Sequence, residues 1–281
     1  MSRVAVVGAG TMGNGIAHVF AQAGWDTTLI DVSEAALAGG LATIRKNLER
    51  LEKKGAVSAE QGAATLARIK TSTSLDGAKG AEIVVEAATE KPEIKFQIFE
   101  DLDRLAPKDA ILASNTSSIS ITEIAKQTNR PDRVIGMHFM NPVPVMPLVE
   151  VVKGRGTGDG VVARVVEVAK ALGKTPVIVA DAPGFVSNRV LMPMINEAIL
   201  CVQEGIATPE AVDQVMTLGM KHPLGPLALA DLIGLDVCLA IMDVLQDGLG
   251  KKYEPARLLQ EMVASGRLGR KTGAGFYVYR D

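Results

Sequence analysis

Residues 8–13 read Gly8, Ala9, Gly10, Thr11, Met12 and Gly13, immediately after the β-branched run of residues 4–7 and immediately before a helical pattern over residues 14–23. No other stretch restricts the fold so strongly. Three glycines at this spacing between a strand and a helix meet three separate needs. Gly8 permits a tight turn, Gly10 lets a pyrophosphate approach the backbone, and Gly13 lets the helix pack close to the strand. The unpaired N–H groups of the helix N-terminus then face the phosphates. About 20 residues beyond the glycines, at the end of a second strand over residues 27–30, stands Asp31. A carboxylate there accepts hydrogen bonds from ribose hydroxyls and repels a 2′-phosphate. The next basic residue is Arg45, so NAD is favoured over NADP. The competing reading of Asp31 is a helix cap or turn residue.

Short β-branched runs at residues 82–87, 110–113, 134–137, 148–152 and 177–180 continue the alternation with helical segments. Parallel neighbours require a crossover, so the pattern predicts an α/β, Rossmann-type, doubly wound and mostly parallel sheet. The connection after Asp31 is long. An amphipathic helix from Glu34 to Lys54, then a capping box at Ser58-Ala-Glu-Gln61, predict a helical hairpin inserted in the sheet domain. At Asp181-Ala-Pro-Gly184 the character changes and the remainder reads as helical, down to a short aromatic tail at Gly275-Phe-Tyr-Val-Tyr279. The domains expected are therefore 1–182, nucleotide-binding, and 183–281, a smaller all-α domain whose apolar faces suit dimerisation.

A chain of 281 residues is about two domains long. With 47% hydrophobic and 22% charged residues it is an ordinary globular composition, which excludes disorder and collagen-like repeats. A formal charge of −2 and 4% aromatics provide neither the field nor the stacking surfaces that nucleic acid needs. Cys201 and Cys238 lack metal or redox spacing and read as two buried thiols of a reducing compartment. The most apolar segment, residues 190–202, is broken by Pro193, Asn196 and Glu197, so no membrane span is expected. The first residues read as a strand, not a signal. A cytoplasmic location follows, or an organelle matrix had a transit peptide been removed.

Of three histidines, His18 lies in the helix after the glycines and His222 precedes Pro223; both read as structural. His138 ends a β-branched strand read over residues 133–137, where open α/β sheets bind ligands. Twelve residues on, Glu150 interrupts the apolar run of residues 148–152, and a carboxylate there needs a partner or solvent. Pro142, Pro144 and Pro147 between them suit a rigid turn returning the chain beside the strand it left, so the two side chains can meet. A carboxylate on one imidazole nitrogen fixes the tautomer and leaves the other to take a proton from a hydroxyl. Equally open from spacing alone are an exposed edge glutamate and a satisfied core histidine. In Ser114-Asn-Thr-Ser-Ser118, Ser120 and Glu123 already serve a helix end. Ser117 is then spare for a substrate oxygen and Asn115 for the cofactor, or the loop satisfies its own backbone. Asn188 shares a helical face with Leu191, Met192 and Ile195; it either meets a substrate or bonds a neighbouring carbonyl.

Together with the glycine loop, Ser114-Asn-Thr-Ser-Ser118, Gly136-Met-His-Phe-Met-Asn-Pro142, Pro183-Gly-Phe185 with Asn188, and His222-Pro-Leu-Gly-Pro226 resemble the L-3-hydroxyacyl-CoA dehydrogenases, in order and spacing and over essentially the whole chain. The likeness is strongest to the bacterial 3-hydroxybutyryl-CoA dehydrogenases. The resemblance implies that His138 is the catalytic base, Glu150 its orienting partner, and Ser117 and Asn188 ligands of the substrate oxygen. It also implies that Asp31, Glu90, Lys95, Asn115 and Lys271 surround NAD, and that the hairpin holds coenzyme A phosphates. Arg50, Lys53 and Lys54 lie there, with Lys54 the best match and Arg50 where relatives often have Lys; a solvated helix face is the alternative. Met140 stands where a Phe is usual, which would alter the acyl pocket but not the chemistry. The length implies a free-standing dehydrogenase without a hydratase domain. Two other functions stay open at this point: a non-catalytic, crystallin-like or nucleotide-sensing relative, and a dehydrogenase of a small free hydroxy acid.

Overall fold

The computed structural model describes residues 2–279. Its contacts divide the chain into two compact units, one ending at Asp181 and the other beginning at Ala182. The first contains β1 (Arg3–Val7), α1 (Thr11–Gln22), β2 (Asp26–Ile30), α2 (Glu34–Lys53), α3 (Ala59–Ala67), β3 (Ile69–Ser72), β4 (Ile83–Glu86), α4 (Pro92–Leu105), β5 (Ile111–Ser114), α5 (Ile121–Ala125), β6 (Val134–Phe139), β7 (Leu148–Lys153), α6 (Asp159–Ala171) and β8 (Thr175–Ala180). The second contains α7 (Ser187–Gln203), α8 (Pro209–Gln214), α9 (Pro226–Ile233), α10 (Leu235–Leu249) and α11 (Arg257–Ala264).

The strands form one sheet in the order β3-β2-β1-β4-β5-β6-β7-β8. From β3 to β6 every neighbour is parallel, and β7 then turns antiparallel to β6, with β8 parallel to β7. This is the mostly parallel, doubly wound sheet that the alternation predicts. β4, β5 and β6 are buried along their whole length, as strands covered by helices on both faces must be. Helix α1 packs against β1 and β2 and adds Ile16, Val19 and Phe20 to the core; the Phe20 ring meets Trp25 edge-on at 5.3 Å.

Three sequence expectations need correction. Strand β3 is missing from the sequence reading; it is a four-residue, half-exposed edge, too short and too polar for its period to show. His138 does not end its strand but lies within it, because β6 continues to Phe139. Cys238 is buried, and its thiol is pushed up to about 12 chiefly by burial, whereas Cys201 is partly exposed.

The hairpin α2–α3 is present, and Ser58 and Gln61 form the reciprocal capping box. In the second unit Met192, Ile199, Leu227, Leu235, Cys238, Leu245 and Leu259 make a separate apolar core. Its aromatic tail is fastened by buried Asp231, which accepts from the backbone N–H groups of Phe276 and Tyr277 and from the Tyr279 hydroxyl. Tyr277 donates its hydroxyl to Asp213, 2.7 Å away, and this bond and above all burial push its phenol well above the usual range.

Candidate active site

The glycine loop joins β1 to α1 at the carboxyl edge of the sheet. Gly8 has φ +101, and a Cβ there would lie 2.6 Å from the Ala87 oxygen and from the Ala88 Cα, so this position tolerates glycine alone. A Cβ on Gly13 would meet the Gly8 oxygen at 1.8 Å. At Gly10 the same construction meets nothing within 4 Å. Helix α1 begins at Thr11 with no side-chain cap and no acidic residue in its first turn, which leaves its leading N–H groups for an anion. Asp31 braces the loop from β2: its carboxylate accepts from Ala9 N at 2.8 Å and Ser33 N at 2.9 Å.

Three strands from β1, a polar chain crosses the same edge. His138 on β6 is paired in register with Glu150 on β7, and the imidazole Nδ1 stands 2.8 Å from the Glu150 carboxylate. On the other side of the ring, Nε2 is 3.0 Å from the Ser117 hydroxyl. His138 is 5% exposed and Glu150 2%, so the carboxylate is withdrawn from water and held by its partner. The loop carrying Ser117 is fixed by Glu90, which accepts from the Thr116 hydroxyl at 2.7 Å and from Ser117 N at 2.8 Å. Asn115 accepts from Phe139 N at 2.9 Å, which ties the loop to β6.

Beneath this loop lies a group that the sequence reading does not single out. Glu86 ends the apolar strand β4 fully buried, takes the Lys95 ammonium from α4 in an ion pair, and accepts from the Ser114 hydroxyl at 2.9 Å. A carboxylate within an apolar strand is the signal that marks Glu150, and Glu86, at the end of β4, carries the same signal. Asp181, also unflagged, gathers the Ser120 hydroxyl, the Thr122 hydroxyl and the backbone N–H groups of Ile121 and Thr122 at the start of α5. Nothing in its immediate sequence announces that role.

The model of the 3-hydroxyacyl-CoA dehydrogenase NAD binding domain matches residues 3–182, and that of the 3-hydroxyacyl-CoA dehydrogenase C-terminal domain matches residues 184–279. This chain belongs to the 3-hydroxyacyl-CoA dehydrogenase family. A Bacillus subtilis protein named "Probable 3-hydroxybutyryl-CoA dehydrogenase" is 54% identical over all of this chain and 98% of its own length. The 3-hydroxybutyryl-CoA dehydrogenase of Bradyrhizobium diazoefficiens is 50% identical over 100% and 96%. Among solved structures, the (S)-3-hydroxybutyryl-CoA dehydrogenase of Ralstonia eutropha superposes with a TM-score of 0.97 at 52% identity, covering both chains completely.

The residues present fit the NAD that this family's first domain binds. Open space over Gly10, uncapped N–H groups on α1 and a carboxylate at Asp31 are the three features that a pyrophosphate and a ribose diol require. Of the other residues that the family pattern names, Arg50 and Lys53 occupy the last turn of α2 and Lys54 its C-cap, all three exposed. Asn188 and Lys271 belong to the second unit: Asn188 is the second residue of α7 and buried, and Lys271 is paired with Asp236 at 2.5 Å. Among the described residues no cluster suits a metal ion, and no helix is long and apolar enough to cross a membrane.

Proposed function

We propose that this chain catalyses the reversible NAD-dependent oxidation of (S)-3-hydroxyacyl-CoA, with 3-hydroxybutyryl-CoA and acetoacetyl-CoA as the natural pair. The observation that carries this reading is the Ser117–His138–Glu150 chain on the edge of the sheet that also presents the glycine loop. His138 Nε2 takes the proton of the 3-hydroxyl, and in reduction the imidazolium returns it. Glu150 accepts the Nδ1 proton, which holds the tautomer with Nε2 as the base and balances the charge the ring acquires. Ser117 donates to the substrate oxygen, with Asn188 as its second ligand on the strength of the motif. Bound NAD would supply the hydride acceptor for carbon 3.

Gly8 to Gly13, Asp31, Glu90, Lys95, Asn115 and Lys271 are assigned to NAD, Asp31 through the ribose and Glu90 through the loop it braces. Arg50 and Lys54 are assigned to coenzyme A phosphates; a cation at the C-terminus of α2 is also favoured by the helix dipole, so substitution must be read on substrate affinity. The second unit exposes Ile206, Leu218 and Met220, which suit a homodimer contact, and a cytoplasmic location fits the chemistry.

The deciding assay follows NADH absorbance with acetoacetyl-CoA against free acetoacetate. Turnover of the thioester alone supports the reading, and preference for the free acid overturns it. His138→Gln should abolish turnover with NAD affinity near wild type; substantial activity in that variant removes the assigned base.

A further inference from the structure

We propose that Lys174 is a positioning residue for the His138–Glu150 pair, acting through the loop that joins their two strands; the inference rests on the His138 reading above. The chain leaves His138 on β6 and returns to Glu150 on β7 through residues 140–147. Within that loop Val145 N and Met146 N both donate to the Pro142 oxygen. Lys174, the residue before β8, sends its ammonium to the carbonyl oxygens of Val143 and Met146, and Thr175 N donates to the Pro147 oxygen. On its other side the loop meets α1. Val143 is 2% exposed, and a Cβ on Gly15 would lie 2.8 Å from the Val143 Cβ. The loop is thereby wedged between the helix that follows the nucleotide loop and a single ammonium.

That ammonium is an expensive way to fill space. Lys174 is 8% exposed, and among the described residues no carboxylate lies within ion-pair distance of it. Burial alone holds its pKa below the ordinary lysine range. Charge held by two carbonyls and no counterion costs more than an apolar side chain of equal length, so packing does not account for it. Its hydrogen bonds instead fix two carbonyls of the one segment whose shape sets how β6 and β7 meet. From α1 the titratable neighbour is His18, which burial keeps neutral at pH 7, so the lysine's charge is unopposed there.

The test compares Lys174→Met and Lys174→Arg with the wild type. The methionine variant should lose kcat for acetoacetyl-CoA about ten- to a hundredfold, with KM for the thioester little changed, and arginine should restore most of it. A second readout is independent of turnover: the downfield imidazole N–H proton resonance that is absent from His138→Gln should broaden in Lys174→Met and persist in Lys174→Arg. Should the methionine variant not fold, Lys174→Gln carries the same comparison. Wild-type kcat with an intact resonance in the uncharged variant overturns the proposal, as does an equal loss in both variants with the resonance unaltered. High activity in His138→Gln would instead remove the reading on which it rests, so the two failures are told apart.

Discussion

The Nδ1 of His138 lies 2.8 Å from the Glu150 carboxylate because the two residues are direct cross-strand partners in the antiparallel pair β6–β7. Directly opposed residues put their side chains on the same face of a sheet, so a proline-rich return of this length is all that the pairing needs. Glu150→Gln keeps the size and removes the charge that orients and balances the ring. It should lower kcat by about 10²- to 10⁴-fold while KM for NAD stays close to wild type. Steady-state kinetics in both directions checks this, and a loss confined to KM would mean that Glu150 serves binding and not the base.

Asp31→Ala should weaken NAD and narrow its advantage over NADP. The side chain braces Ala9 and Ser33 and is the one carboxylate at the end of β2, so the variant loses both the ribose acceptor and the repulsion of a 2′-phosphate. Titration of the two cofactors by fluorescence measures the ratio directly. An unchanged ratio would leave Asp31 with a loop-bracing role only.

Gly10→Ala and Gly13→Ala separate the ligand's needs from the fold's. A Cβ on Gly10 meets no protein atom within 4 Å, so this variant should fold, losing at most about 1 kcal/mol because alanine caps α1 less well than glycine, and yet bind NAD markedly more weakly. On Gly13 the added carbon would stand 1.8 Å from the Gly8 oxygen, and both stability and NAD binding should fall. Thermal melts with and without NAD distinguish them. A Gly10 variant with undiminished affinity would show that no phosphate comes close there.

What could be read in the sequence follows physical range. The glycine loop, Asp31 and the capping box at Ser58 and Gln61 are local devices, each complete within a few residues, and each is legible without coordinates. His138 and Glu150 were legible as candidates because polar residues interrupt apolar strands, but their meeting depends on register, which spacing leaves open. Glu86 reaches Ser114, Asp181 reaches Ser120 and Lys174 reaches Val143 across 28 to 61 positions, and no short pattern records such a link. Edge strand β3 was lost for the opposite reason, as four half-exposed residues carry too little period to register.

His18 gives the protein a stability that depends on pH. It lies fully buried on α1, and neither ring nitrogen makes a hydrogen bond of good geometry among the described residues, although the Gln22 amide faces it. Burial, the largest cause, lowers its pKa from 6.5 to about 4; the Gln22 side chain pulls the other way, and the Lys174 ammonium, the smallest of the three effects, adds to the lowering. Because the folded value is the lower one, the unfolded chain takes up the proton first. The stabilisation is complete above pH 6.5 and drains away as pH falls toward 4, by about 3 kcal/mol in all. Urea unfolding of the wild type and of His18→Leu between pH 7.5 and 4.5 isolates the effect, since the carboxylates are common to both. The difference in unfolding free energy should shift in favour of the leucine variant as pH drops through this window, and parallel curves would mean that the buried imidazole is not held neutral.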